Sequence, residues 1–457
     1  MPTLEELRRI RIQKLEHLIQ EGVDAYPAKV ERTGSIAFIL KKFLFLSFLK
    51  RQINLVGRIK TIRIHGKAAF FDIEDASAKI QCFVSPSELG DKNYENFINN
   101  FDIGDFVEVR GLLFKTKKNE KTVRINSLKI ITKTLRPLPE KWHGLKEIEE
   151  RYRKRYLDIL MNTDIKEKFI LRSLMISELR VFLERNGFME FETPVLQLIP
   201  GGATARPFET HLNALNMDLY LRIAPELYLK RLLVGGFEKV YEIGRNFRNE
   251  GMDAHHNPEF TMLEAYVSYE DSHYLKKFIE DLFNYIVKKI NNGTLIIEYQ
   301  NNTINFDKPW KEKKYDDLIK EFGDIELAKK HIIQPTFITG FPTKFLPLAK
   351  TLKNNHSQAD AFQVFIGGLE LVKAFTELNN PIEQRKRFEE QEKLRAIGDT
   401  EAQRLDEDFI ESLEYGMPPA AGFGIGIDRL AMLLTNSHAA REIILFPTMR
   451  PNDKNHV

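Results

Sequence analysis

Tyr241–Tyr266 reads YEIGRNFRNEGMDAHHNPEFTMLEAY: two runs of alternating apolar residues around a polar loop rich in Asn, Gly and His. Period-two alternation on both sides of such a loop predicts an antiparallel hairpin. Its cargo is unusual: Arg245, Arg248, Glu250, His255 and His256, with Phe260 on the return. Arg248 supplies a fork that matches a phosphate bidentately. Glu250 can accept from an exocyclic amine, and Phe260 offers a face on which a flat ring can stack. These are the parts of a nucleotide site built without a P-loop. A salt-bridged surface hairpin fits the same charges.

Working outward, 457 residues allow two or three domains and a large core. The 68 basic and 65 acidic residues leave a net charge of only +3, so a nucleic-acid partner has to be held by a local basic face. The single cysteine, Cys82, excludes an intrachain disulfide and a multi-cysteine metal site and suits a reducing compartment. No apolar leader is evident at the N-terminus. The greasiest run, Phe43–Leu49 (FLFLSFL), is far shorter than the ~20 residues of a membrane span and is expected as a buried helix or strand. A cytoplasmic protein with no membrane contact is expected.

Upstream of the hairpin, residues 3–21 have helical spacing, and Thr3 followed by Glu6 is a capping box. From Ile53 to about Pro139 five short alternating segments, with a helix-like stretch at Glu88–Phe101, fit a small OB-type barrel. Such barrels stack single-stranded bases on aromatics beside basic side chains. Arg63, Phe70 and Gln81 can share one face of it, although the aromatics serve equally well as barrel core. LRPLPEKWHGL (Leu135–Leu145) then marks a domain boundary. The expected organisation is a helical extension 1–50, a barrel 51–140, a linker 141–155 and a large domain 156–457. In the last, 167–185 reads as a long helix ending at Asn186-Gly187, FMEFETPVL as a strand interrupted by Pro194, and 274–290 as another helix.

Downstream, VFIGGLELVKAFTELNN reads as a strand carrying Glu370 and Glu377, seven apart, so a bulge or bend is needed if they converge. Two carboxylates with triphosphate oxygens make the oxygen shell that Mg²⁺ requires. AAGFGIGIDRL places Gly422, Gly424, Gly426 and Arg429 before an apolar helix, without the spacing of a dinucleotide fold. Residues 291–360 are weakly patterned.

Taken together these residues resemble a class II (subclass IIb) aminoacyl-tRNA synthetase of the bacterial lysine-specific branch, over nearly the full length. Gly187-Phe188 with Phe191 and Pro194 look like motif 1, Phe247–Glu250 with His256 and Phe260 like motif 2, and Gly422–Arg429 like motif 3. IPGGATARPF, RIAPELYLKRL, FRNEG, HNPEFTMLEAY and LRPLPEKWHGL are similar to strings of lysyl-tRNA synthetases. The resemblance implies an α+β fold: an anticodon-binding OB barrel, then a six-stranded antiparallel sheet flanked by helices. It implies ATP-dependent activation of L-lysine to lysyl-adenylate with release of pyrophosphate, then transfer to the 3′ end of tRNA(Lys). A homodimer built through motif 1 is also implied.

Residue by residue, it implies that Arg248 bridges the α-phosphate and the substrate carboxylate, Glu250 reads the adenine, and Phe260 and Arg429 sandwich it. His256 and Arg429 reach the outer phosphates, and Glu370 and Glu377 hold Mg²⁺. Glu264 and Tyr266 meet the ε-ammonium, Gly202 and Glu226 the α-amino group, and Asn379 and Glu383 further parts of lysine. Arg63, Phe70 and Gln81 read the anticodon. The chain departs from the pattern at Lys373, where relatives usually carry Asn; at Asn380, usually Asp; at Ser127, where Glu is expected; and at a shortened 310–335 region. Two rivals follow: a lysine ligase acting on a protein, which would lack the barrel, and a non-enzymatic tRNA-binding paralogue, which would have lost Arg248, Glu250, Glu370, Glu377 or Arg429.

Overall fold

The structure, a computed structural model, describes residues 2–139, 147–399 and 401–451. They form two compact units, Met1–Gly144 and Leu145–Val457. Residues 140–146, the end of the proline-punctuated segment, lie outside the described residues.

In the first unit the helix Leu4–Gln20 starts at Thr3, whose hydroxyl accepts from Glu6 N while its own N–H donates to the Glu6 carboxylate. Five strands follow: β1 (Ile53–His65), β2 (Ala68–Glu74), β3 (Lys79–Val84), β4 (Phe106–Lys115) and β5 (Lys121–Thr132). They close a barrel in the order β1-β2-β3-β5-β4. Alternate residues (Ile53, Leu55, Phe71, Ile73, Cys82, Val123) fill its interior, which leaves the other face of each strand to solvent.

The Phe43–Leu49 run departs from expectation. It is helical over Phe43–Phe48, but only Phe43 and Leu46 are buried, while Leu44, Phe45 and Phe48 are 72%, 62% and 85% exposed. A helix turns one stripe toward the core, and an all-apolar segment therefore leaves its other side uncovered.

The second unit is built on an eight-stranded sheet: β6 (Met189–Glu190), β7 (Lys239–Phe247), β8 (Glu259–Ser268), β9 (Lys311–Lys314), β10 (Thr336–Thr339), β11 (Ala361–Ile366), β12 (Leu369–Thr376) and β13 (Ala420–Gly426). Its order is β9-β10-β11-β12-β13-β8-β7-β6. The six middle strands are antiparallel, and β9 and β6 add parallel edges. The helices Thr163–Arg185, Ser272–Ile290 and Ile427–Leu434 pack one apolar core with odd-numbered β8 and β13 residues, among them Leu263, Ala265, Phe423 and Ile425. The even-numbered residues of those strands therefore point to the other face, where the cleft lies.

The segment read as one strand around Glu370 is two. Gly367 and Gly368, at φ +59° and +78°, turn the chain between β11 and β12. The left-handed pair is what a two-residue hairpin turn needs, and glycine adopts it without strain. Leu371 bulges, because Phe365 faces Glu370 while Val364 faces Val372. Residues 310–335 reduce to β9 and two short helices, Tyr315–Phe322 and Ile325–Lys330. Ile332 and Ile333 carbonyls accept from the backbone of Gly368 and Gly367, so this segment supports the turn that precedes Glu370.

Candidate active site

β7 and β8 pair from Lys239↔Val267 to Phe247↔Glu259, which makes the hairpin expected from alternation. Its base is fixed by a buried ion pair: Arg222 Nη1 lies 2.5 Å from Glu242 Oε1, and Arg222 Nε donates to the Arg245 carbonyl at 2.8 Å. Glu242 Oε2 accepts from Thr193 N–H and hydroxyl, tying the hairpin to the segment before Pro194. Asp428 fastens the opposite side, accepting from Thr261 N–H at 3.0 Å and from Arg172 at 2.8 Å.

The cleft is laid out along three neighbouring strands. Glu264 on β8, Gly424 on β13 and Lys373 on β12 form one cross-strand row, and Tyr266, Gly422 and Phe375 form the next. Gly422, Gly424 and Gly426 leave the floor open, since a Cβ at Gly422 would fall on Glu377 and the Tyr266 ring.

One end is cationic. Arg248 stands over the Phe260 ring at 5.0 Å, and burial pulls its pKa down while Glu250, Glu264 and Glu370 act against that fall. Arg429 Nη1 donates to the Glu370 carbonyl at 3.0 Å, and its Nη2 lies 3.1 Å from His256 Nε2. Asp253 organises the loop: its carboxylate accepts from the backbone of His255 and His256 and pairs with His256 Nδ1 at 2.7 Å. Glu250, His256, Phe260, Glu370 and Arg429 all line this end.

The other end is acidic. Glu264 is fully buried and accepts from Tyr266 Oη at 3.1 Å. Burial, reinforced by Glu226, pushes its pKa up to about 8. Behind it Lys230 Nζ is held between Glu226 Oε1 at 2.6 Å and Glu377 Oε2 at 2.5 Å. Burial works against that ammonium, but Glu226 and Glu377 outweigh it and raise its pKa. Gly202 and Glu226 line the cleft beside them.

Three expected site residues are engaged with the protein itself. Glu377 is buried against Lys230, whereas Arg429 reaches the Glu370 carbonyl. The two carboxylates are seven positions apart, with the Leu371 bulge between them. Asn379 and Glu383 do not line the cleft: Asn379 accepts from Lys350 and donates to the Met417 carbonyl, and Glu383 pairs with Arg387. Asn380 caps the helix Pro381–Ala396, accepting from Ile382 and Glu383 N–H, which an amide oxygen does as well as a carboxylate. Lys230 and Phe375 escaped sequence reading, while Lys373, noted there as a departure, lines the cleft. Lys230 stands four residues after Glu226 on a helix and looks like an ordinary helical ion pair.

On the barrel, Arg63, Phe70 and Gln81 do come together: Arg63 pairs across strands with Phe70, and its Nη2 donates to Gln81 Oε1 at 3.1 Å. Phe83 and Arg124 continue the Arg63–Phe70 row across β3 and β5, and Phe114 lies beneath Arg124 at 4.8 Å.

Sheet, cleft and barrel define a class, and the comparisons agree. Residues 147–450 match the model for class II tRNA synthetases (D, K and N), and 53–131 match the OB-fold nucleic acid binding domain. The chain belongs to the class II tRNA synthetase family. It is 47% identical to the lysine–tRNA ligase of Carboxydothermus hydrogenoformans, with 98% of this chain and 99% of the relative covered. It is 46% identical to those of a Thermoanaerobacter species and of Pelotomaculum thermopropionicum, with 98% of the chain and 97% and 96% of the relatives covered. These alignments span 487 to 489 positions against a 457-residue chain, so the relatives carry residues that this chain lacks.

Proposed function

We infer that this chain is a lysine–tRNA ligase, activating L-lysine with ATP and transferring it to tRNA(Lys). The observation that carries the choice of lysine is Glu264: a buried carboxylate in the cleft, raised to about 8, with no ion pair among the described residues. Lys230 is shared between Glu226 and Glu377, whereas Glu264 has no cation paired with it among the described residues and is the carboxylate open to a substrate ammonium. An uncharged side chain placed there would leave the buried carboxyl with the Tyr266 hydroxyl alone.

The lysine carboxylate attacks the α-phosphorus, the bond from that phosphorus to the bridging oxygen breaks, and pyrophosphate leaves. Placement and charge neutralisation are the main demands of such a displacement. Arg248 lines the cleft over the Phe260 ring, within electrostatic reach of Glu264 and Glu370, and so serves both carboxylate and α-phosphate. Phe260 and Arg429 hold the adenine, Glu250 its amine, and His256 and Arg429 the outer phosphates. Mg²⁺, when bound, neutralises phosphate charge; of the two carboxylates first considered, Glu370 fits that duty, since such ions take one or two carboxylates and the phosphates themselves. A ribose hydroxyl of the tRNA end then attacks the lysyl carbonyl and AMP departs.

The Arg63–Phe70–Phe83–Arg124 row is the anticodon face of the barrel, with Phe70 stacking and Arg63 and Gln81 reading base edges. The exposed Ile170, Leu174, Met189, Val195, Leu196 and Leu198 around motif 1 make a homodimer contact. The described residues contain no helix long and apolar enough to cross a membrane; a cytoplasmic location follows from the tRNA substrate. Charging of tRNA(Lys) with labelled lysine tests the reading. Lysyl-tRNA formation supports it, and a folded protein that charges no tRNA refutes it.

A further inference from the structure

Along β12, Glu370, Lys373 and Phe375 line the cleft in turn from its nucleotide end. Lys373 is the midpoint. It faces Glu264 across Gly424, two strand spacings away, roughly 10 Å between backbones, a gap that side chains and a substrate close. Arg248, which also lines the cleft and feels the charges of Glu264 and Glu370, is a second cation here. Lys373 is exposed, lines the cleft, and has no ion pair among the described residues. Its cross-strand neighbour on β11 is Gln363, which is neutral.

A lysine in the middle of a cleft floor needs a reason. A surface lysine covering the sheet edge is the bland one, but β12 is a central strand and the adjoining floor is glycine. The two groups that meet at this level are both anions, the amino-acid carboxylate and the α-phosphate. Bringing them together requires positive charge between them.

We propose that Lys373 is a second positioning cation, paired with Arg248, that holds the substrate carboxylate and α-phosphate together and makes nucleotide binding less dependent on a divalent ion. The proposal rests on the lysine–tRNA ligase reading, in which these two anions meet in this cleft. Lys373 takes no part in bond making; the displacement is balanced as written above.

The test is ATP binding by titration calorimetry on the full-length protein, with EDTA and then with excess Mg²⁺, for wild type, Lys373→Asn and Lys373→Arg. Because the side chain is exposed, melting temperatures are expected to agree. The proposal expects wild type to bind ATP in EDTA and Lys373→Asn to bind about 10-fold more weakly there. Excess Mg²⁺ should narrow that gap, and Lys373→Arg should restore most of the loss. In steady-state exchange the Asn variant should raise KM for ATP and lysine more than it lowers kcat, and shift half-saturation by Mg²⁺ upward. Equal ATP affinity of wild type and Lys373→Asn in EDTA overturns the proposal while leaving the enzyme reading intact. A wild-type protein that binds no ATP with or without Mg²⁺ overturns both.

Discussion

Lys230 Nζ lies 2.5 Å from Glu377 Oε2, and both side chains are wholly buried. An ammonium within the protein thus occupies the acidic end of the cleft, near Glu264, the carboxylate proposed for the substrate's ammonium. Lys230 keeps Glu226 when Glu377 is removed. Glu377→Gln therefore loses one buried charged contact and is expected to lower unfolding free energy by about 2 kcal/mol, measured by denaturant titration. Glu370→Gln, at the half-exposed cleft wall, should change stability by less than about 0.5 kcal/mol and instead raise the Mg²⁺ needed for half-maximal exchange. The reverse pattern would give the metal duty to Glu377.

Glu264 sets a pH dependence. Its pKa in the folded, ligand-free protein is about 8, raised by burial from the ordinary carboxyl value of 4.5. Between these values the folded chain holds a proton that the unfolded chain has lost, so this group's contribution to stability falls as pH rises through the window. A substrate ammonium favours the ionised carboxylate, so lysine binding releases a proton and tightens as pH climbs toward 8. Calorimetry in buffers of different ionisation enthalpy should detect that release, and Glu264→Gln should abolish it together with most lysine affinity. Lysine affinity independent of pH from 6 to about 8 would contradict the assignment.

Gly422 is there for close approach. Adding a Cβ would force Glu377 or the Tyr266 ring to shift. Gly422→Ala should cost about 1–3 kcal/mol in stability and raise the KM for lysine about 10-fold, read by thermal melts and exchange kinetics.

On the barrel, Phe114 and Arg124 extend the proposed anticodon face beyond Phe70. Phe70→Ala and Arg124→Ala are each expected to weaken binding of an anticodon stem-loop RNA about 10-fold, measured by fluorescence anisotropy. Unchanged affinity in Arg124→Ala would confine recognition to Arg63, Phe70 and Gln81.

The sequence made the β7–β8 hairpin legible because its signals are local: alternation, a polar loop, and charges placed beside an aromatic. The barrel was legible for the same reason, and so was the helix cap at Thr3. The relation of Glu370 to Glu377 was hidden because the Leu371 bulge, which breaks the period-two count between them, is set by pairing with β11. Lys230 was hidden because its second partner, Glu377, is 147 positions away, a relationship only the fold creates. The region 291–360 was opaque because its strands are two to five residues long, too short for a period to show. Phe43–Leu49 shows the opposite failure: composition suggested burial, but geometry allowed it for only two of its side chains.

The most direct measurement is amino-acid-dependent ATP–pyrophosphate exchange, scanning the common amino acids with wild type and Glu264→Gln. The account predicts exchange with lysine alone, dependent on Mg²⁺ and lost in Glu264→Gln. Exchange with a different amino acid, or none with any from a folded protein, would contradict it.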